Sequence, residues 1–193
     1  MSRSPSAVLA GAIRILDELG IAYLIGGSFA SSAYGEARFT QDADVVIDLR
    51  PEQLEPLAAR LESEFYVDRD AMREALSERR SFNAVHLDSA FKIDFFVLGR
   101  GLFDQEEFRR RALLQVPGLA GASLVFKTPE DTILRKLEWY RSGGEVSEQQ
   151  WRDVLGVLNL SGDRLDQAYL DRWAATLRVT DLLHKAREQA RGA

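Results

Sequence analysis

Two stretches decide how this chain is read: Ile25-Gly26-Gly27-Ser28, and Gln41-Asp42-Ala43-Asp44-Val45-Val46-Ile47. The first ends the apolar run Ala22-Tyr23-Leu24-Ile25, which reads as a buried strand. It opens a segment rich in small residues, Ser28 to Tyr34, that reads as a helix stopped by Gly35. Backbone N–H groups at such a junction bind phosphate, and glycine lets a ligand approach closely. The second stretch reads as a strand headed by two aspartates. Strand side chains alternate, so Asp42 and Asp44 point to one side. A third carboxylate, Asp94, lies in Phe91-Lys92-Ile93-Asp94-Phe95-Phe96-Val97. Inside such an apolar run a carboxylate is costly unless it is paired or bound to metal. Two strands carrying three carboxylates toward one point suit two Mg²⁺ ions about 3.5–4 Å apart, an arrangement that supports in-line phosphoryl or nucleotidyl transfer. Singly, each has a plainer reading: Asp42 as a turn residue, Asp44 as a strand-edge charge, Asp94 as the partner of an arginine. A lone Gly-Gly is more often a turn. The joint order, Gly-Gly-Ser, a helix-sized gap, Asp-x-Asp and a later strand Asp, favours the shared site.

Around these stretches the pattern alternates helices and strands. A helix over 7–19 ends at Gly20. Pro51 opens a helix over 51–62, a short strand covers 65–67, and 70–79 reads as helix. Strands over 82–87 and 91–98 are joined by the turn Asp88-Ser89-Ala90. A helix over 104–111 and a last strand over 122–126 follow. The texture changes after Lys127. Thr128 and Pro129 start a helix that stops at Gly143-Gly144, and Ser147-Glu148-Gln149-Gln150 is a capping box for the next. Asp163 and Thr180 read as the caps of two more. The expected architecture is α/β (α+β): a mixed sheet flanked by helices over 1–126, then a helical domain over 127–193.

Composition bounds the function classes. At 193 residues the chain fits one domain, or a domain with a small appendage. Its 46% hydrophobic and 28% charged content reads as a soluble globular protein. With no Cys and only His86 and His184, disulfide frameworks, thiol catalysis and multi-histidine metal sites are excluded. No apolar run approaches the roughly 20 residues of a membrane span, and Met1-Ser2-Arg3-Ser4-Pro5 lacks a signal-peptide core, so a cytoplasmic location and no membrane partner are expected. The net charge is −5. Residues 127–193 hold 11 basic and 11 acidic side chains, so residues 1–126 carry the whole excess, 14 against 19. This balance argues against general nucleic-acid binding by bulk attraction.

The order Ile25-Gly26-Gly27-Ser28, Asp42-Ala43-Asp44 and Asp94 resembles the nucleotidyltransferase superfamily of the DNA polymerase β type. A narrower resemblance covers nearly the whole chain. Thr128-Pro129-Glu130-Asp131-Thr132-Ile133-Leu134-Arg135-Lys136-Leu137 and Gln150-Trp151-Arg152-Asp153-Val154 are similar to the later motifs of AbiEii-type nucleotidyltransferases, which include toxins of toxin–antitoxin systems. This resemblance implies a Mg²⁺- or Mn²⁺-dependent enzyme that moves an NMP from an NTP to an acceptor hydroxyl or phosphate, with RNA or tRNA as an acceptor and an antitoxin as a partner. It implies catalytic roles for Asp42, Asp44, Asp94, Lys136 and Asp153, metal binding by the first three, and nucleotide binding by Gly26, Gly27, Ser28 and Lys136; Arg38 and Thr40, just before Asp42, are placed to meet triphosphate oxygens. The site is expected between the two domains.

Residue geometry leaves alternatives at several of these positions. Lys136 flanks the apolar stripe Ile133, Leu137 and Tyr140; it can turn inward toward a phosphate or snorkel along the edge. Asp153 points away from the stripe Trp151, Val154, Leu155 and Leu158, toward solvent or a cleft. Arg38 suits bidentate contact with phosphate, or pairs with Asp48 or Glu36. Arg109-Arg110-Arg111 could meet nucleic acid, but reads more simply as a solvated face paired with Asp104, Glu106 and Glu107. Arg79 and Arg80 are a weaker case of the same kind. His86 reads as a structural histidine, and Trp139, Trp151 and Trp173 as core residues. Other readings are a sister enzyme acting on a small molecule such as an aminoglycoside, or on a protein side chain; a non-catalytic nucleotide-binding or partner-binding module; and a plain interaction protein.

Overall fold

The computed structural model describes residues 4–34, 42–115 and 123–191. Ser4 accepts a hydrogen bond from the Ala7 N–H and caps helix α1 (Pro5–Glu18), with Pro5 in the first turn. The chain reverses at Gly20, whose φ of +62° is a left-handed conformation that suits glycine. It then runs through β1 (Tyr23–Ile25), α2 (Gly27–Tyr34), β2 (Asp42–Ile47), α3 (Leu54–Leu61), β3 (Phe65–Val67) and α4 (Arg69–Glu78). Strands β4 (Ser81–His86) and β5 (Lys92–Val97), helix α5 (Leu102–Arg110), and strands β6 (Ala112–Gln115) and β7 (Ser123–Phe126) follow. Helices α6 (Pro129–Ser142), α7 (Glu148–Ser161), α8 (Gln167–Thr176) and α9 (Thr180–Arg191) complete the described chain. Among the described residues no helix is long and apolar enough to cross a membrane.

The described residues fall into two compact units. The first holds residues up to Phe29 and from Asp42 to Phe126; the second holds Ala30–Tyr34 and residues from Lys127 onward. The division falls inside α2 and again between Phe126 and Lys127.

The first unit is built on a seven-stranded mixed sheet in the order β3-β4-β5-β2-β1-β7-β6. The pairs β2–β5 and β1–β7 are parallel and the others antiparallel. Burial alternates along the central strands as the two-residue period requires. Ala43, Val45 and Ile47 of β2, Ile93, Phe95 and Val97 of β5, and Phe82, Ala84 and His86 of β4 form the covered face. Helices α3 and α4 pack against β3, β4 and β5, and α1 packs against α3. The opposite face carries Asp42, Asp44, Lys92, Asp94 and Asn83. At its far end Val46 and Ala22 pack against the buried cluster of Leu24, Leu98 and Phe108.

The second unit is helical. Thr128 accepts from the Asp131 N–H and caps α6, Ser147 does the same for α7 through Gln150, and Asp166 caps α8 through Tyr169. Asp131 is fully buried and accepts from Thr128 Oγ1 at 2.8 Å and from the Tyr169 hydroxyl at 2.5 Å. A buried carboxylate is tolerated because it is hydrogen-bonded in this way.

Four elements differ from the pattern reading. The helix expected over 51–62 begins with a 3₁₀ turn, Pro51–Gln53, whose Gln53 side chain donates to the Leu19 carbonyl at 3.1 Å. Strand β6 has no counterpart in the pattern reading: it is a four-residue edge strand, and its Leu113 is exposed, which erases the alternating signal. Asp163 lies in a 3₁₀ turn and the α8 cap is Asp166, while Thr180 is the first residue of α9.

Candidate active site

Asp44 is fixed from several directions. Its carbonyl accepts from the Gly26 N–H at 2.8 Å, which ties the β1–α2 junction to β2. Gly27 opens α2 with a φ of +53°. A Cβ built on Gly27 would lie 1.7 Å from Asp44 Oδ2 and 3.0 Å from Asp44 Cβ. The Asp44 carboxylate therefore fills the space that glycine leaves open, at the positive end of a helix dipole. This is the physical reason for Gly-Gly here: the second glycine makes room for a carboxylate. Gly27→Ala combines that overlap with a left-handed φ. It should lower stability by about 1–2 kcal/mol from the backbone alone and displace the carboxylate. A denaturation midpoint equal to wild type would show that Asp44 does not need that space.

The parallel register places Asp44 opposite Asp94 and Asp42 opposite Lys92. Directly paired residues share a face, so these four side chains form a two-by-two array, with Asn83 beside Asp94 on β4. Lys92 Nζ lies 2.6 Å from Asp94 Oδ2. Its hydrogen bond to Asp94, with the charges of Asp94, Asp42 and Asp44, holds the ammonium above the usual lysine range, against a smaller opposing effect of burial. Sequence reasoning passed over Lys92 and Asn83. The signal for Lys92 was its place two residues before Asp94, on the same strand face; for Asn83 it was the alternation of Phe82-Asn83-Ala84-Val85-His86.

The donor set of this face is hard carboxylate oxygen, the chemistry that suits Mg²⁺ or Mn²⁺. Among the described residues no three carboxylate or histidine side chains stand close enough together to form a ready-made cage. The cation against Asp94 is instead the Lys92 ammonium. By donor type the residues fit a divalent ion.

In the helical unit Lys136 and Asp153 form an ion pair with Nζ–Oδ2 of 2.7 Å, each side chain only 9% exposed. Lys136 also donates to Gln150 Oε1 at 3.0 Å, and Ser31 Oγ donates to Asp153 Oδ2 at 3.2 Å. Lys136 thus turns inward rather than snorkelling, and Asp153 faces the lysine rather than solvent.

The remaining candidates are dispersed. Arg38 and Thr40 lie outside the described residues. His86 is buried on the covered face, with Nδ1 2.9 Å from Ser89 Oγ and its ring against Phe65. Arg109 pairs with Glu106 through two hydrogen bonds, and the Arg111 guanidinium lies over the Phe108 ring. Arg79 donates to the Leu98 carbonyl and Arg80 pairs with Glu78. Trp139 is not a core residue: it is 55% exposed, because α6 buries Ile133, Leu134 and Leu137 on another side. Trp151 is half-buried against Tyr140, its indole N–H donating to Gln189, and Trp173 lies beside Tyr169.

Neither the protein-family models nor the curated proteins include a match to this sequence. Solved structures do match it. The crystal structure of ANT(2'')-Ia in complex with adenylyl-2''-tobramycin superposes with a TM-score of 0.59 at 17% identity, covering 89% of this chain and 95% of that one. The chain has the nucleotidyltransferase fold. An antigenic nucleotidyltransferase-like protein from Paracoccidioides brasiliensis gives a TM-score of 0.56 at 18% identity, covering 95% and 91%. The lincosamide antibiotic adenylyltransferase LnuA, lincomycin-bound, gives 0.54 at 11%, covering 77% and 93%. At these identities the likeness establishes the architecture and leaves activity to the site.

Proposed function

We propose that this protein transfers a nucleoside monophosphate from an NTP to an acceptor hydroxyl or phosphate and releases pyrophosphate. The observation that carries this reading is Asp44. Its carboxylate is seated in the space at Gly27, at the N-terminus of α2, and stands in register with Asp94. At the β1–α2 junction the backbone N–H groups of Gly27 and Ser28 would meet phosphate oxygens, while the Gly26 N–H is held by the Asp44 carbonyl and leaves Gly26 only the role of a close-approach glycine. A divalent ion held by Asp42, Asp44 and Asp94 would supply charge neutralisation on the triphosphate and the leaving pyrophosphate. Asp94 would take the acceptor's proton as its oxygen attacks the α-phosphorus in line. The family resemblance adds Lys136 and Asp153 to this chemistry. Most of the acceleration would come from positioning and charge, since the phosphoryl group itself offers the protein little covalent work.

A small hydroxylated, cationic molecule is the acceptor class that this reading favours. The chain's net charge is −5, with the excess in residues 1–126. Two of the similar structures hold antibiotics or their adenylylated product. An RNA acceptor and an antitoxin partner rest on the sequence resemblance alone. The test incubates the purified protein with Mg²⁺ and each α-labelled NTP in turn, against aminoglycosides, lincosamides and total cellular RNA. Label on a small molecule together with pyrophosphate is the expected result. Label on RNA alone would keep the chemistry and overturn the acceptor class. Folded protein that binds no NTP and releases no pyrophosphate would sink the proposal.

A further inference from the structure

Resting on that reading, we propose that Lys92 is a resident counter-ion of the carboxylate face, and that a divalent cation reaches Asp94 only by displacing its ammonium. The argument is geometric. Lys92 and Asp94 are two residues apart on β5, so their side chains leave the same face of the sheet. Their strand neighbours on β2 are Asp42 and Asp44, so one ammonium stands in an array with three carboxylates. Adjacent strands are about 4.8 Å apart, so Lys92 has Asp42 as its neighbour across the strand pair as well as Asp94 along its own strand. The ammonium is already in contact with Asp94 Oδ2, at 2.6 Å, on an oxygen that a metal would use. A lysine carries its charge as a compact point on a flexible four-carbon stem, so it can take a cation's place and leave it. Both side chains retain solvent access, 41% for Lys92 and 20% for Asp94, so the pair can part without burying a lone charge.

Two consequences follow. Without nucleotide, a divalent ion competes with an attached positive charge, and its binding is weak. With a triphosphate present, the released ammonium gains an anionic partner, so nucleotide and metal strengthen each other's binding reciprocally. Lys92 is therefore a positioning residue, acting through Asp94, and it disfavours idle loading of metal.

The test measures binding of Mn²⁺ alone by electron paramagnetic resonance, with no turnover involved. Lys92→Met removes the charge and keeps the stem; Lys92→Arg keeps the charge; circular dichroism checks the fold, and Lys92→Gln serves if the methionine variant is unstable. The methionine variant should bind Mn²⁺ about tenfold or more tightly than wild type, as loss of a like charge at this distance requires, and the arginine variant should stay near wild type. Equal or weaker Mn²⁺ binding by Lys92→Met, with wild type still binding Mn²⁺ together with a non-hydrolysable NTP analogue, would overturn this inference alone. No Mn²⁺ binding by any variant, with or without the analogue, would overturn the metal-dependent reading as well.

Discussion

Asp44→Asn is expected to lower NTP-dependent transfer about a thousandfold, roughly 4 kcal/mol of barrier, while leaving the fold intact. The substitution is nearly isosteric. It keeps the backbone bond from the Gly26 N–H to the residue 44 carbonyl, and the β2–β5 register made by backbone alone. What it removes is one negative charge at the point where Gly27 makes room and α2 presents its positive end. An amide offers one neutral oxygen there and an N–H₂ that repels a cation. The check is a single-turnover assay beside a thermal melt of the same preparation. Undiminished transfer in a folded Asp44→Asn protein would remove the carboxylate face from the mechanism. A variant that failed to fold would instead show that the charge at Gly27 is structural.

The architecture was legible in the sequence because each local device agreed with its neighbours. Gly20, Thr128-Pro129 and Ser147 act as stop and cap signals where the structure ends or starts helices. The alternation in Ala43–Ile47 and Ile93–Val97 separates a covered face from the face that holds the three aspartates. What was not legible depended on pairing across the chain. No local pattern reveals that Asp94 stands opposite Asp44 while Lys92 stands opposite Asp42, since that register is set between strands some fifty residues apart. The same holds for Trp139. Helical spacing places it at the margin of an apolar stripe, and only the packing of α6 against α7, α8 and α9 decides that Ile133, Leu134 and Leu137 go inside and Trp139 outside. Strand β6 illustrates a different limit: an edge strand with an exposed leucine has no buried face to imprint a period on its sequence.

Asp153→Ala should cost about 3–5 kcal/mol of stability, the usual penalty for stripping one partner from a buried ion pair. Among the described residues, the Lys136 ammonium would keep Gln150 Oε1, at 3.0 Å, as its partner. The reverse change, Lys136→Met, should cost less, because Asp153 retains the Ser31 hydroxyl at 3.2 Å as a hydrogen-bond donor. Replacing both residues together, Lys136→Met with Asp153→Leu, should recover most of the loss, since an apolar pair of similar volume replaces two desolvated charges. Urea denaturation of the two single variants and the double variant measures this cycle. A cost below about 1 kcal/mol for Asp153→Ala would mean that the pair behaves as an exposed one. The double variant also separates structure from chemistry. If the pair only holds α6 to α7, transfer should return along with stability. If Lys136 and Asp153 take part in the reaction, as their motifs imply, the double variant should be stable and inactive, because no apolar pair can replace an ammonium that meets a phosphate oxygen.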